Sequence, residues 1–251
     1  MNISSDSLFH FTNSASRLIN ILTSGFQPKY SLETFVFNDK IKEYAIPMVC
    51  FCDIPISQIE HHMNIYGQYG LGLSKVWAIK NGLNPVIYLE NKSRLNNYTY
   101  ELSHEIWRAE CLNCNNVSEK LKAYYWHIVR YLKMYQGDFR HNEKTYYQHC
   151  FYNEREWRFV PEVIDLSENS KQNFYLTKDD FINEITREDE NRKLKKDILK
   201  FTPLDIEYIF VKDKDEVKSM TKLIRNDKKL KCKAFDLIPK LLAVDQILKD
   251  F

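Results

Sequence analysis

Three of the chain's six glycines fall in the segment Tyr66-Gly67-Gln68-Tyr69-Gly70-Leu71-Gly72-Leu73. Residues without a Cβ are needed where the chain bends tightly or where backbone or ligand comes close. Spending half of them in one place marks that segment as the expected point of ligand approach, with Tyr66 and Tyr69 as its rings. The remaining glycines, spread over 251 residues, leave no material for a phosphate-cradling loop. Neither GxxxxGK[ST] nor GxGxxG occurs, which argues against P-loop and Rossmann-fingerprint enzymes. Collagen-like and Gly-rich linker readings are excluded on the same ground.

A length of 251 residues suits one large domain or two small ones. The net charge of +2 argues against a dedicated nucleic-acid or anionic-membrane binder. No apolar run reaches the ~18 residues of a spanning helix, and MNISSDSLFHF lacks the basic and apolar regions of a signal peptide. The expectation is therefore a cytoplasmic protein with no membrane partner. The six cysteines are then expected to stay thiols. Cys50 and Cys52 read as strand filling. Cys111-Leu112-Asn113-Cys114 has the spacing of half a zinc knuckle, with no second half after it.

Ser7–Thr12 reads as a first strand, and Asn13 or Ser14 as the cap of a helix that Gly25 ends. A loop to Tyr30 follows, then a buried strand over 47–54 bounded by Pro47 and Pro55. Residues 57–64 read as helix, 75–81 as a short helix stopped by Gly82, and 84–89 as a strand. From about 93 to 136 the pattern is helical, closed by Gly137, with Trp126 expected in the core. Residues 138–148 read as irregular. Period two returns at 153–161, placing Glu156, Arg158 and Val160 on one face and Trp157 among the core candidates. The stretch 165–200 reads as a solvated mixed-charge face. After it come a strand over 205–211, a helix over 214–224, a last strand at 234–237 and a helix from 239 to 251.

His10, the paired tyrosines and the Glu154/Glu156 pair carry the chemistry. Each has an ordinary alternative: a histidine satisfied by one carbonyl, edge aromatics, and an exposed cross-strand ion network. Together they could handle an N-glycosidic bond. A carboxylate stabilises the oxocarbenium-like transition state, a neutral imidazole holds a ribose hydroxyl, and a tyrosine stacks on a planar base. None of these roles requires a metal. His61 and His62 lie near the tyrosines, and adjacent helical side chains point about 100° apart, so one of them at most would share a pocket. Arg192 to Lys200 and the aromatic stretch Tyr124 to Tyr135 are a weaker nucleic-acid candidate.

The blocks LFHFT (8–12), GFQPKY (25–30), PMVCFCDIP (47–55), YGQYGLGLSKVWA (66–78), GLNPVIY (82–88) and EREWRFVP (154–161) occur in that order. In this the chain resembles the AbiGi family of abortive-infection phage-resistance proteins. The resemblance implies an antitoxin or phage sensor that binds a partner, for the family the antitoxin of a nucleotidyltransferase-like toxin. The order of His-Phe-Thr, helix, aromatic-Gly strand and glutamate is also similar to ADP-ribosyltransferases of the DarT type. That looser resemblance implies an α+β fold with a split mixed sheet, peripheral helices and a C-terminal strand-helix extension. The core would span 1–164, with 165–251 either an extension or continuous with it. It implies NAD as the substrate, held by His10, Thr12 and Tyr66 or Tyr69, with Glu156 and His10 catalytic and a macromolecule, nucleic acid included, as a target. It departs from that type in lacking a Ser-Thr-Ser strand and in offering two glutamates for one role.

Overall fold

The computed structural model describes residues 4–111, 115–141, 143–162 and 174–250. Its strands are β1 (Ser7–Thr12), β2 (Lys29–Phe37), β3 (Lys40–Cys52), β4 (Tyr69–Ser74), β5 (Asn84–Pro85), β6 (Ile87–Leu89) and β7 (Leu132–Met134). They continue with β8 (Gln136–His141), β9 (Lys144–Cys150), β10 (Glu156–Phe159), β11 (Leu176–Thr177), β12 (Ile206–Val211) and β13 (Leu241–Ala243). The helices are α1 (Ala15–Ser24), α2 (Glu60–Tyr66), α3 (Lys75–Lys80), α4 (Arg94–Cys111) and α5 (Asn115–Val129). The second half adds α6 (Lys178–Ile182), α7 (Glu184–Lys193), α8 (Lys214–Asn226), α9 (Ala234–Leu237) and α10 (Val244–Asp250).

This is an α+β fold. Its main sheet runs β13-β12-β4-β1-β3-β10-β5, with β2 and β11 attached to β3. The sheet is mixed: β12 and β13 are parallel, the other pairs antiparallel. Period-two alternation gives it two cores. Leu8, Leu71, Leu73, Ile209 and Val211 face one cluster, together with Leu18 and Leu22 of α1, Trp77 of α3 and Ile224 of α8. Phe9, Phe11 and Phe210 face the other, with Met63 of α2 and Ile247 of α10. Trp126 belongs to a third cluster that joins the β2–β3 hairpin to α5 and β7, and Trp157 packs partly buried against the first. The β12 strand pairs with β4, so the residues after 174 contribute to the same sheet as β1. The boundary expected at 164/165 lies outside the described residues.

Local chemistry explains most of these elements. Ser14 caps α1 by accepting from the Arg17 N–H, and the Gly25 N–H closes its last turn on the Ile21 carbonyl. Glycine recurs in β4 because a Cβ on Gly72 would lie 2.8 Å from the Phe9 ring. That ring packs against Tyr208 and Phe210.

Four expectations need correction. The segment read as a loop to Tyr30, followed by a strand from Pro47, is a long hairpin, β2–β3. Its two-residue turn, Asn38-Asp39, has both residues at positive φ, as a twisted hairpin requires. Of residues 138–148, those in β8 (to His141) and β9 (from Lys144) pair as a second hairpin. The helix expected to run to Gly137 stops at Val129, and β7 follows because it can pair with β6. Near the C-terminus, 234–237 is helical and 241–243 is the strand, since Leu241–Ala243 fits alongside β12.

Candidate functional site

The site begins where β1 and β3 separate. The two strands share one register pair, Phe9 with Cys52, although β1 pairs along its whole length with β4 on the other side. Beyond that pair the His10 imidazole spans the opening and donates through Nδ1 to the Cys50 carbonyl at 2.8 Å. A carbonyl can only accept, so Nδ1 carries the proton. Burial holds the imidazole's pKa below its usual value, opposed by the Cys50 hydrogen bond. His10 is therefore neutral, with Nε2 as a lone-pair acceptor. Phe26 and Phe51 hold the ring at centroid distances of 5.0 and 5.6 Å.

The opening leads into a cavity of about 740 Å³, within the range of small-molecule sites. His10, Tyr66, Glu154 and Glu156 all line it. The two other candidates do not. Tyr69 lies off the cavity, its hydroxyl donating to Glu216 at 2.6 Å, and Thr12 is buried within β1. The turn between α2 and β4 explains this split. Gly67 has φ 117° and lies so close to β1 that a Cβ would sit 2.3 Å from the Thr12 carbonyl oxygen. The chain thus swings tightly over the end of β1, leaving Tyr66 on the cavity side and Tyr69 in the sheet.

The two glutamates differ sharply. Glu156 is clamped: Arg158 Nε approaches Oε1 at 2.5 Å, and Lys133 Nζ stands 3.7 Å from Oε2. Glu33 of β2 completes the group, 3.0 Å from both Arg158 and Lys133. Three of these four charges are buried and Lys133 is half-buried; together they cancel, joining β2, β7 and β10 under the cavity. Burial alone would raise the Glu156 pKa, but Arg158 and Lys133 overcome it and hold the carboxyl well below its usual range. Lys133 is held high against burial by Glu33 and Glu156. The EREWR segment is thus a buried network, where an exposed one was the alternative to a catalytic role.

Glu154 is held by a tyrosine and a histidine. Tyr66 Oη donates to Oε1 at 3.0 Å and His149 Nε2 lies 2.8 Å from the same atom. A short helical turn, Phe151–Glu154, and the left-handed Arg155 swing this carboxylate to the cavity before β10 begins. Burial first, then Glu154, raises the Tyr66 hydroxyl pKa, so it remains a donor. His62 packs 4.4 Å from the Tyr66 ring, and burial lowers its pKa to about 4. His141 meets Tyr66 at 5.1 Å and His61 stacks on His149 at 6.0 Å. Of the adjacent pair His61 and His62, His62 is the one lining the cavity.

Glu33, Lys133, His141 and His149 escaped the sequence reading. Alternation in Leu32-Glu33-Thr34-Phe35-Val36-Phe37 could have revealed the first, whereas Lys133 carries no local signal. Among the described residues, no group of three or more His, Cys, Asp or Glu side chains could hold a metal ion. Cys111 is exposed, and Cys114 of the zinc-like pair lies outside the described residues. No described helix is long and apolar enough to cross a membrane.

Residues 24–212 match the family model described as "Putative abortive phage resistance protein AbiGi, antitoxin". The chain is also 30% identical over 257 residues to the abortive phage resistance protein AbiGi of Lactococcus lactis subsp. cremoris, covering 90% of this chain and 99% of that protein. It is thus an abortive-infection phage-resistance protein. The family to which it belongs is AbiGi. No solved structure matches it.

Proposed function

We propose that this defence protein uses NAD in its cavity, either transferring ADP-ribose to a macromolecule, nucleic acid included, or hydrolysing the dinucleotide. The observation that carries this reading is the convergence of His10, Tyr66 and Glu154 on one cavity, with the imidazole neutral and the carboxylate oriented by Tyr66 and His149. His10 Nε2 accepts from a ribose hydroxyl. Tyr66 and His62 offer rings to the nicotinamide. Glu154 stabilises the positive charge that develops on the ribose as the bond from C1′ to the nicotinamide nitrogen breaks. Nicotinamide leaves with that electron pair, and the attacking water or target group gives up its proton as it bonds to C1′. Glu156 serves this arrangement as part of the ion network beneath it.

The test is nicotinamide release from NAD by the purified protein, alone and with nucleic acid or lysate. Release abolished by Glu154→Gln supports the reading. No release under any condition, or release indifferent to both Glu154→Gln and His10→Ala, removes it.

A second reading, an antitoxin that binds a partner toxin, is favoured by two exposed apolar faces. Leu95, Tyr98 and Leu102 on α4, and Leu121, Tyr124 and Ile128 on α5, lie at i, i+3, i+7 spacing, with Trp107 nearby. Co-purification of a toxin encoded beside this chain, lost in Tyr98→Asp/Tyr124→Asp, supports it. Growth arrest by this chain alone, with no partner retained, counts against it.

A further inference from the structure

The mixed-charge helix α7 and the segment running from the end of α8 into α9 look alike in sequence but differ in structure. On α7 the charges neutralise one another: Arg187 pairs with Glu184, Arg192 with Asp189 and Lys193 with Glu190. Between 222 and 236 they do not. Six cations, Lys222, Arg225, Lys228, Lys229, Lys231 and Lys233, stand against two carboxylates, Asp227 and Asp236. None of the six makes an ion pair among the described residues. Asp227 spends its carboxylate on the turn, accepting from the Lys229 and Leu230 N–H groups. With the whole chain at +2, this short segment holds more positive charge than the entire molecule does net.

Phe235 lies in the same segment, 92% exposed at the start of the short helix α9. An uncovered phenylalanine costs solubility and contributes nothing to the core. Lysine is depleted from the cores of protein–protein interfaces, so a lysine-rich segment that carries a lone exposed ring poorly suits a protein partner. It does suit a backbone of phosphates with unpaired bases, because lysines neutralise the phosphates and an exposed ring stacks on a base. No residue of this segment lines the cavity, so the surface is separate from the proposed NAD site.

We propose that residues 222–236 form a docking surface for single-stranded nucleic acid, with the six cations on phosphates and Phe235 stacked on a base. Binding of a fluorescent 20-nucleotide oligothymidine to the full chain, followed by anisotropy, tests it. Engaging six phosphates predicts a slope of log affinity on log salt of roughly −4, about a 300-fold loss between 50 and 200 mM NaCl. Phe235→Ala is expected to weaken binding roughly tenfold. The quadruple variant Lys228→Gln/Lys229→Gln/Lys231→Gln/Lys233→Gln should flatten the salt dependence. Arg192→Gln/Lys193→Gln on α7 should change neither. No binding at 50 mM salt, salt-insensitive binding, equal loss in the α7 variant, or full binding by Phe235→Ala overturns the proposal. So does capture of an acidic protein that competes with the oligonucleotide and binds the Phe235→Ala variant equally well. Because Phe235 is exposed, its variant folds and keeps the test decisive even if the quadruple variant does not.

Discussion

Tyr66 and His149 hold the same oxygen of Glu154, at 3.0 and 2.8 Å, from two separate elements. Tyr66 ends α2, and His149 lies near the end of the β8–β9 hairpin. The carboxylate is thereby fixed in orientation without being neutralised by a permanent cation. Glu156, two residues on, is held by Arg158 and Lys133 instead.

That contrast separates the two glutamates experimentally. Glu156→Gln leaves Arg158, which is fully buried, short of one carboxylate and is expected to cost about 3 kcal/mol of folding stability. Glu154→Gln keeps an acceptor for Tyr66 and should cost under about 1 kcal/mol. Nicotinamide release, by contrast, is expected to fall at least ~100-fold in Glu154→Gln. Denaturant melts and the release assay, run side by side, check both halves.

The two tyrosines should separate as well. Tyr69→Phe loses its hydrogen bond to Glu216, costs about 1 kcal/mol and leaves NAD turnover unchanged. Tyr66→Ala is expected to raise KM for NAD markedly. Equal effects from both variants would contradict the division of roles.

Acid sensitivity follows from His62. Its folded pKa, about 4, lies below the unfolded value of 6.5 because burial outweighs the attraction of Glu154 and Glu156. Above pH 6.5 this residue adds no pH dependence. As pH falls from 6.5 toward 4 the unfolded chain takes up a proton that the folded chain resists, so stability declines by about 3 kcal/mol. His10, also lowered, acts with the same sign. Urea midpoints measured from pH 7.5 to 4.5 should show this decline, and His62→Gln should flatten it.

Glycine substitutions give a structural check. Gly67→Ala places a Cβ 2.3 Å from the Thr12 carbonyl oxygen at a φ of 117°, and is expected to cost on the order of 3 kcal/mol or more. Gly82→Ala meets nothing within 4 Å and carries only the strain of φ 73°, about 1 kcal/mol. Comparable melting temperatures for the two variants would show that the turn over β1 is looser than described.

Several elements were legible because their signals are local. The strand around His10, the helix that Gly25 ends, the strand at 206–211 and helix α8 need only alternation, a cap or 3.6-residue spacing. The β2–β3 hairpin was missed because its turn, Asn38-Asp39, lacks the glycine that usually announces one, and because Pro47 resembles a boundary yet sits inside β3. The strands β7 and β13 are three residues each and exist only where a partner strand is available.

His10, a glycine-flanked tyrosine and the Glu154/Glu156 pair stand out from residue order alone, because unusual residues in short patterns are visible without a fold. Which of them share a site depends on how the chain folds. The tight turn at Gly67 sends Tyr66 to the cavity and Tyr69 away. Lys133 and Glu33, 23 and 123 residues distant from Glu156 along the chain, convert that glutamate into part of a neutral, largely buried network. Charge pairing of this kind depends on positions in space. For the same reason α7, rich in charge, is self-neutralised, whereas the lysines after α8 remain free of ion pairs among the described residues.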